Sequence, residues 1–522
     1  MKTLAQLSRQ LPDPSALQEL ADQLKKKYTI QDIPQQPAIL AFYDSFDWRL
    51  YAKGLLCFQQ NSRLYLTDLI GRERVPSLPI SGERLGFFQL LPNSALKRKL
   101  APVLEMRTLL LQSSFSQTKR QLRILNKDKK TVATVLLTEL IPETDQPLCS
   151  VQLHEVRGYE KWFQRLERDL EKFGKPQPCT REQDLKTALA TKGRTPLDYS
   201  SKFSVTLKPN MDALTAAKTI YRTLLDTMQK NEQGILDDLD SEFLHDFRVA
   251  IRRTRSGLDM IENVLEPKIS TRFKEEFRFL GKITGPVRDL DVYLLMEDDY
   301  KARLPDHLQK GLCYFFTDLV KEWKKEQQKL AQALQSSRYR TILKDWEKYL
   351  DHKETVPQKK KQRKTQQRVA IGTMANSILQ KRFERVLRDG LAIDADSPDK
   401  SLHRLRIQGK KLRYCLEFFT SLYPQKKMKL LIKQLKLLQN NLGLFNDLSV
   451  QQEMLNNYLA GLKPDSDKTK KMGVAIGGLL TNLYHEQQQV RTEFEAVFNQ
   501  FSSQENVALY RSLFAAEQKP GK

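Results

Sequence analysis

The chain has 522 residues, of which 40% are apolar and 29% charged, with a formal net charge of +24. This composition supports ordinary cores, excludes disorder throughout, and leaves room for two to four domains at roughly 100–200 residues each. A pI near 9.6 points to an anionic partner, whether nucleic acid, phosphate polymer or acidic membrane surface.

The basic surplus is not a tail. Residues 1–200 hold 31 basic and 22 acidic residues, and residues 201–522 hold 56 and 41, so the excess runs through the folded body. Cys57, Cys149, Cys179, Cys313 and Cys415 are scattered and odd in number. That pattern argues against a disulfide framework or zinc site and for a reducing compartment. The first residues lack a signal-peptide core, and no run of about 18 apolar residues is present. The expectation is a cytoplasmic protein with no membrane partner, no metal and no cofactor.

In chain order, residues 1–37 read as a helical segment broken by Pro12 and Pro14. Residues 38–175 hold short β-branched and aromatic segments: AILAFYDSF, GLLCFQQ, RLYLTDLI, TLLLQSSFS, RQLRILN, TVATVLLTEL and CSVQLHEVRG. Turn-formers separate them, such as Asn61-Ser62 and Asn126-Lys127-Asp128. Strands with such turns predict an antiparallel, barrel-like sheet. Residues 158–173 switch to helical period, and residues 176–208 read as a linker. From 209 to 515 the pattern is helical, with helices of roughly 15–25 residues expected between breaks such as Gly285-Pro286, Asp394–Ser401 and Pro424. Two halves, about 209–350 and 367–515, flank a basic run, KETVPQKKKQRKTQQR, at 353–368. The fold class is thus α+β, a sheet domain followed by an all-α bundle.

The helical part is internally duplicated. LHDFRVAIRRTRSGLDM (244–260) matches LHRLRIQGKKLRYCLEF (402–418), and FRFLGKITGPVRDLDV (277–292) matches LKLLQNNLGLFNDLSV (435–450), both at an offset of 158 residues. At about 100° per residue, His245, Arg248, Arg252 and Arg255 fall in a wedge of about 80°, as do His403, Arg406, Lys410 and Arg413. Leu244, Phe247, Ile251 and Leu258 occupy the neighbouring sector, which predicts a core face. No carboxylate relieves either wedge; Asp259 and Glu417 come one turn past its end. Like charges at this spacing repel by roughly 0.2–0.5 kcal/mol per pair. The arrangement therefore suggests a bound anion as counter-charge, with Arg suited to phosphate oxygens and Lys acting as a point charge. Asp289 and Asp447 follow a glycine in each repeat and read as structural, either as helix N-caps or as partners of a basic residue on the preceding helix.

These residues resemble the CHAD family, the conserved histidine α-helical domain. Each half carries a His-x-x-Arg-x-x-x-Arg/Lys-x-x-Arg helix and a later Gly-x-x-(Arg/Asn)-Asp element, seen here at His245 to Arg255 with Gly285 to Val292, and at His403 to Arg413 with Gly443 to Val450. The resemblance implies a two-half helical bundle around a basic groove or pore that binds inorganic polyphosphate, in association with polyphosphate granules. The implied contacts are His245, Arg248, Arg252, Arg255, His403, Arg406, Lys410 and Arg413. Arg253, Lys411, Arg278, Lys282, Lys433 and Lys436 are secondary candidates.

The sheet region resembles a degenerate CYTH domain, the triphosphate-tunnel fold, through YDSFDWRLYAKGLL (43–56) and EVRGYEKWFQRLERDL (155–170). The Glu-x-Glu-x-Lys strand that such an enzyme uses for metal and triphosphate is missing before residue 43, and LLCFQQNSR stands where Arg-x-Arg is usual. The expectation is a binding protein with no catalytic residues. The rivals are a metal-dependent triphosphate or polyphosphate hydrolase and a general nucleic-acid-binding protein. Weak, salt-sensitive nucleic-acid binding is expected of any such basic surface. No nucleophile motif stands out, and His154, His307, His352 and His485 lie apart.

Overall fold

The computed structural model describes residues 6–34, 37–80, 85–142, 147–176, 180–261, 264–352, 369–462 and 466–514. The basic run at 353–368 and Cys179 lie outside them. The chain forms two compact units, Met1–Ser201 and Lys202–Lys522.

The first unit contains β1 (Gln6–Leu11), α1 (Pro14–Lys27), β2 (Thr29–Pro34), β3 (Ala38–Asp44), β4 (Leu55–Gln60), β5 (Arg63–Asp68), β6 (Leu78–Pro79), α2 (Ala95–Leu104), β7 (Leu110–Leu125), β8 (Thr131–Pro142), β9 (Leu148–Glu155), α3 (Glu160–Leu170), β10 (Lys175–Pro176) and α4 (Arg181–Ala190). The strands form one antiparallel sheet in the order β10-β1-β9-β8-β7-β3-β4-β5-β6, with β2 also on β7. Its path ends at β10 and β6, and among the described residues no pairing joins those ends. The turn signals act as their chemistry requires. Asn61 and Ser62 take φ of 50° and 55°, the left-handed pair of a two-residue hairpin. Asn126 Oδ1 accepts from the Asp128 and Lys130 amides, closing the β7–β8 turn.

Phe115 and Leu122 are an odd number of residues apart on β7, so they face opposite ways. Leu122 and Ile124 join Val135, Leu137, Val151 and Leu153 under α1 and α3. Phe115 joins Leu40, Phe42 and Phe58 under Leu185, Ala188 and Leu189 of α4. Two expectations change here. Residues 1–37 are not a separate helical segment: α1 is flanked by strands whose pairing with β9 and β7 overrides weak local preference. Residues 176–201 are not a linker, because α4 packs its apolar side onto the sheet. The YDSFDW segment has a structural task. The buried Asp44 carboxylate accepts the amides of Ser45, Leu50 and Tyr51, and burial pushes its pKa up to about 7.

The second unit is helical: α5 (Ala213–Leu236), α6 (Ser241–Met260), α7 (Pro267–Ile283), α8 (Gly285–Leu295), α9 (Glu297–Ala302), α10 (Asp306–Gln335), α11 (Ser337–Asp351), α12 (Ile371–Leu391), α13 (Asp399–Phe418), α14 (Gln425–Ala460), α15 (Asp467–Phe501) and α16 (Gln504–Phe514). Among the described residues no helix is long and apolar enough to cross a membrane. The duplication extends beyond the two motifs. The pairs α5/α12, α6/α13 and α7/α14 begin at 213/371, 241/399 and 267/425, each 158 residues apart. Leu244, Phe247, Ile251 and Leu258 are buried, as are Leu402, Leu405, Leu412 and Leu416, so each repeat's apolar sector is its core face. Helices α10, α14 and α15 reach 30, 36 and 35 residues, longer than expected. The clearest divergence lies at Pro286, whose counterpart is Leu444. The first repeat breaks into α7 and α8 at Gly285-Pro286, while α14 runs straight through.

Candidate anion-binding site

Helices α6 and α13 pack against each other, and each is backed by its own following helix, α7–α8 or α14. This brings the two cationic wedges together. Burial, then Arg406, then Arg252 from the other repeat, with Arg413 adding, push Lys410 down to about 8 against the pull of Asp447. Like charges and desolvation both disfavour the protonated amine. Arg252 itself is exposed.

The two repeats hold their basic side chains differently. Arg248 donates from Nη1 to Gly281 O at 3.2 Å and to Thr284 Oγ1 at 3.0 Å, at the C-terminus of α7, where carbonyls lack intrahelical partners. Burial lowers its pKa while Asp289 opposes that shift. Small residues make this approach possible. A Cβ at Gly281 would lie 3.2 Å from Arg255 Nη1, and one at Gly285 would lie 3.5 Å from Arg248 Nη1. In the second repeat Arg406 donates from Nη2 to Asp447 Oδ1 at 3.1 Å, and His403 Nδ1 lies 3.0 Å from Asn446 Oδ1. Arg413 donates to Glu417 at 2.8 Å and to Gln439 Oε1 at 3.3 Å. His245 is half-buried at the position in α6 equivalent to His403.

Two buried donors on this face have no protein partner among the described residues: Arg406 Nε and Gln439 Nε2. An unmet buried donor costs about 1–3 kcal/mol, which an acceptor oxygen would relieve.

Asp289 and Asp447 are not N-caps. Asp289 is the fifth residue of α8, and Asp447 lies in the interior of α14. The alternative reading, a partner for the basic helix, fits Asp447 directly through Arg406. Desolvation raises the Asp289 pKa, and Arg248 and Arg288 pull it back.

The secondary candidates divide. Arg253 and Lys411 are turned to the seam between repeats. Arg253 Nη2 lies 2.6 Å from Glu417 Oε2, with its guanidinium over Tyr414 at 5.8 Å, and Lys411 Nζ lies 4.0 Å from Asp259 Oδ2. Since 253 pairs with 411, and 259 with 417, across the offset, these contacts are reciprocal, as at a two-fold interface. Their charge is spent on joining the halves. Arg278, Lys282, Lys433 and Lys436 are exposed on α7 and α14. Sequence reasoning missed Gln439, Thr284 and Asn446 as members of this face. Asn446 was visible as the counterpart of Arg288, which holds Ser241 O at 3.3 Å. Gln439 and Thr284 gave no signal, because neutral residues leave no charge pattern. Among the described residues no group of three or more His, Cys, Asp or Glu is placed to hold a metal ion.

Residues 219–456 match the family model of the CHAD domain. The helical unit thus carries a CHAD domain. Among solved structures, the CHAD domain from the plant Ricinus communis aligns at 24% identity and a TM-score of 0.47, over 57% of this chain and 95% of that one. PptA from Streptomyces chartreusis aligns at 14% identity and a TM-score of 0.44, over 55% of this chain and 100% of that one. No curated protein matches.

Proposed function

We propose that the CHAD domain binds inorganic polyphosphate along the joined cationic faces of α6 and α13. The observation that carries this reading is the surround of Lys410. Arg252, Arg406 and Arg413 crowd it, and among the described residues Arg406 Nε and the Nε2 of Gln439, whose Oε1 accepts from Arg413, lack partners. Such a face is costly when empty, and closely spaced phosphate oxygens would neutralise and satisfy it together. Arg248, Arg255, His245 and His403 extend it along both helices. Association with cytoplasmic polyphosphate granules follows from the same chemistry. Hydrolysis does not, because the sequence lacks the acidic motif a tunnel triphosphatase needs, and we read the sheet unit as a structural or oligomerising element.

The test is a competition at physiological salt between long-chain polyphosphate and single- or double-stranded nucleic acid, using the wild type and Arg252→Ala/Lys410→Ala. Two lost charge-assisted contacts, each about 1.5–3 kcal/mol, should weaken polyphosphate binding roughly a hundredfold or more. Nucleic acid should compete poorly. Equal competition by nucleic acid, or unchanged binding by the variant, would overturn the reading. Phosphate release with Mg²⁺ or Mn²⁺ would instead favour the hydrolase.

A further inference from the structure

Helix α14 presents a second, apolar surface beside its anion-facing side. Leu430, Leu437 and Leu444 are 47%, 39% and 43% exposed. They are seven residues apart, so they fall within about 40° of one another as a single line. From Gln425 to Asn446 the helix carries Lys426, Lys427, Lys429, Lys433 and Lys436 and no acidic residue. No ion pair is found for these lysines among the described residues.

The internal repeat shows how the equivalent positions on α7 are met. The counterparts of Leu430 and Leu437 are Arg272 and Phe279 on α7. There α11 lies across them: Arg272 bonds Asp345, the Arg338 guanidinium sits 3.6 Å from the Phe279 ring centre, and Arg338 pairs with Glu276 at 3.4 Å. In the first repeat α11 thus reaches this face with complementary charge, whereas in the second the shorter α16, which also packs on α14, leaves Leu430, Leu437 and Leu444 exposed and lysine-flanked.

We infer that the Leu430–Leu437–Leu444 line of α14, left exposed beside α16, docks an acidic amphipathic helix of a partner protein. Apolar residues at seven-residue spacing with charged flanks are what a paired helix reads, and the lysines select acidic flanks. A second copy of this chain is disfavoured, because symmetric pairing would set the same lysines against each other. A membrane surface is disfavoured by the narrowness of the line, since interfacial helices bury a broad apolar face.

The experiment uses the full-length protein and a synthetic helical peptide with leucines seven residues apart and glutamates flanking them, followed by fluorescence anisotropy. Leu430→Ser/Leu437→Ser and Lys426→Glu/Lys429→Glu should each weaken peptide binding at least tenfold, with helical circular dichroism unchanged. The leucine variant should bind polyphosphate like the wild type, which separates this surface from the proposed polyphosphate site. The inference is overturned if the wild type does not bind the peptide, or if both variants bind it equally well. It is also overturned if the leucines are instead needed for binding phosphatidylglycerol vesicles or for self-association in sedimentation.

Discussion

The two repeats of the helical unit begin three of their helices at one constant offset, yet they secure their basic residues by different means. In the first, the break at Thr284-Gly285-Pro286 frees helix-terminal groups that hold Arg248. In the second, α14 does not break, and side chains, Asp447 and Asn446, take over for Arg406 and His403. The lesson is that duplication has kept the positions of the cations and left their supports to diverge. The seam follows the same rule. Its two reciprocal ion pairs are related by the repeat, but Arg253–Glu417 is close and largely buried, whereas Lys411–Asp259 is long and half-exposed.

The largest expected effect comes from imposing the first repeat's break on the second. Leu444→Pro removes a hydrogen bond inside α14 and should cost about 3 kcal/mol or more, whereas Pro286→Leu, at an existing helix start, should stay within about 1 kcal/mol. Chemical denaturation measures both, and equal effects would mean that the α7–α8 break does not matter. The seam comes next. Arg253→Ala removes the closer of two arginines on the largely buried Glu417, with Arg413 still bonded to it at 2.8 Å, and should cost about 1.5–3 kcal/mol. Lys411→Ala should cost no more than about 0.5 kcal/mol. A symmetric result would show that the seam behaves as two equal pairs.

Lys410 offers the finest test, because burial and the neighbouring Arg406 and Arg252 lower its pKa. Its folded pKa, about 8, lies below the unfolded value of about 10.4. Between these values the unfolded chain binds more protons, so this residue makes stability rise with pH from about 8 to 10 and imposes its full cost below 8. Lys410→Met should therefore stabilise the ligand-free protein at pH 7, by up to about 3 kcal/mol, while weakening polyphosphate binding. Thermal melts at pH 7 and pH 10 should show the gain shrinking as pH rises. Since the anion favours charged lysine, wild-type affinity should fall roughly tenfold from pH 7 to 9. Lys410→Arg should flatten that dependence. A flat wild-type profile would remove Lys410 from the site.

Much of this was legible in the sequence because it depends on local periodicity. The 158-residue offset, the apolar sector of α6 and α13 and the basic wedge beside it follow from helical geometry alone, as do the Asn61-Ser62 and Asn126 turns from their residue types. Tertiary structure decided the rest. Nothing local told that Arg253 and Lys411 would be absorbed by Glu417 and Asp259, since those partners lie more than 140 residues away in the chain. Asp289 and Asp447 read as caps because each follows a glycine, but only the path of the backbone shows both inside helices. The strands β1 and β2 were hidden for a similar reason: pairing with β9 and β7 defines them. The charge pattern fixed which residues are cationic, while packing between the repeats set which of those charges face one another and which are neutralised.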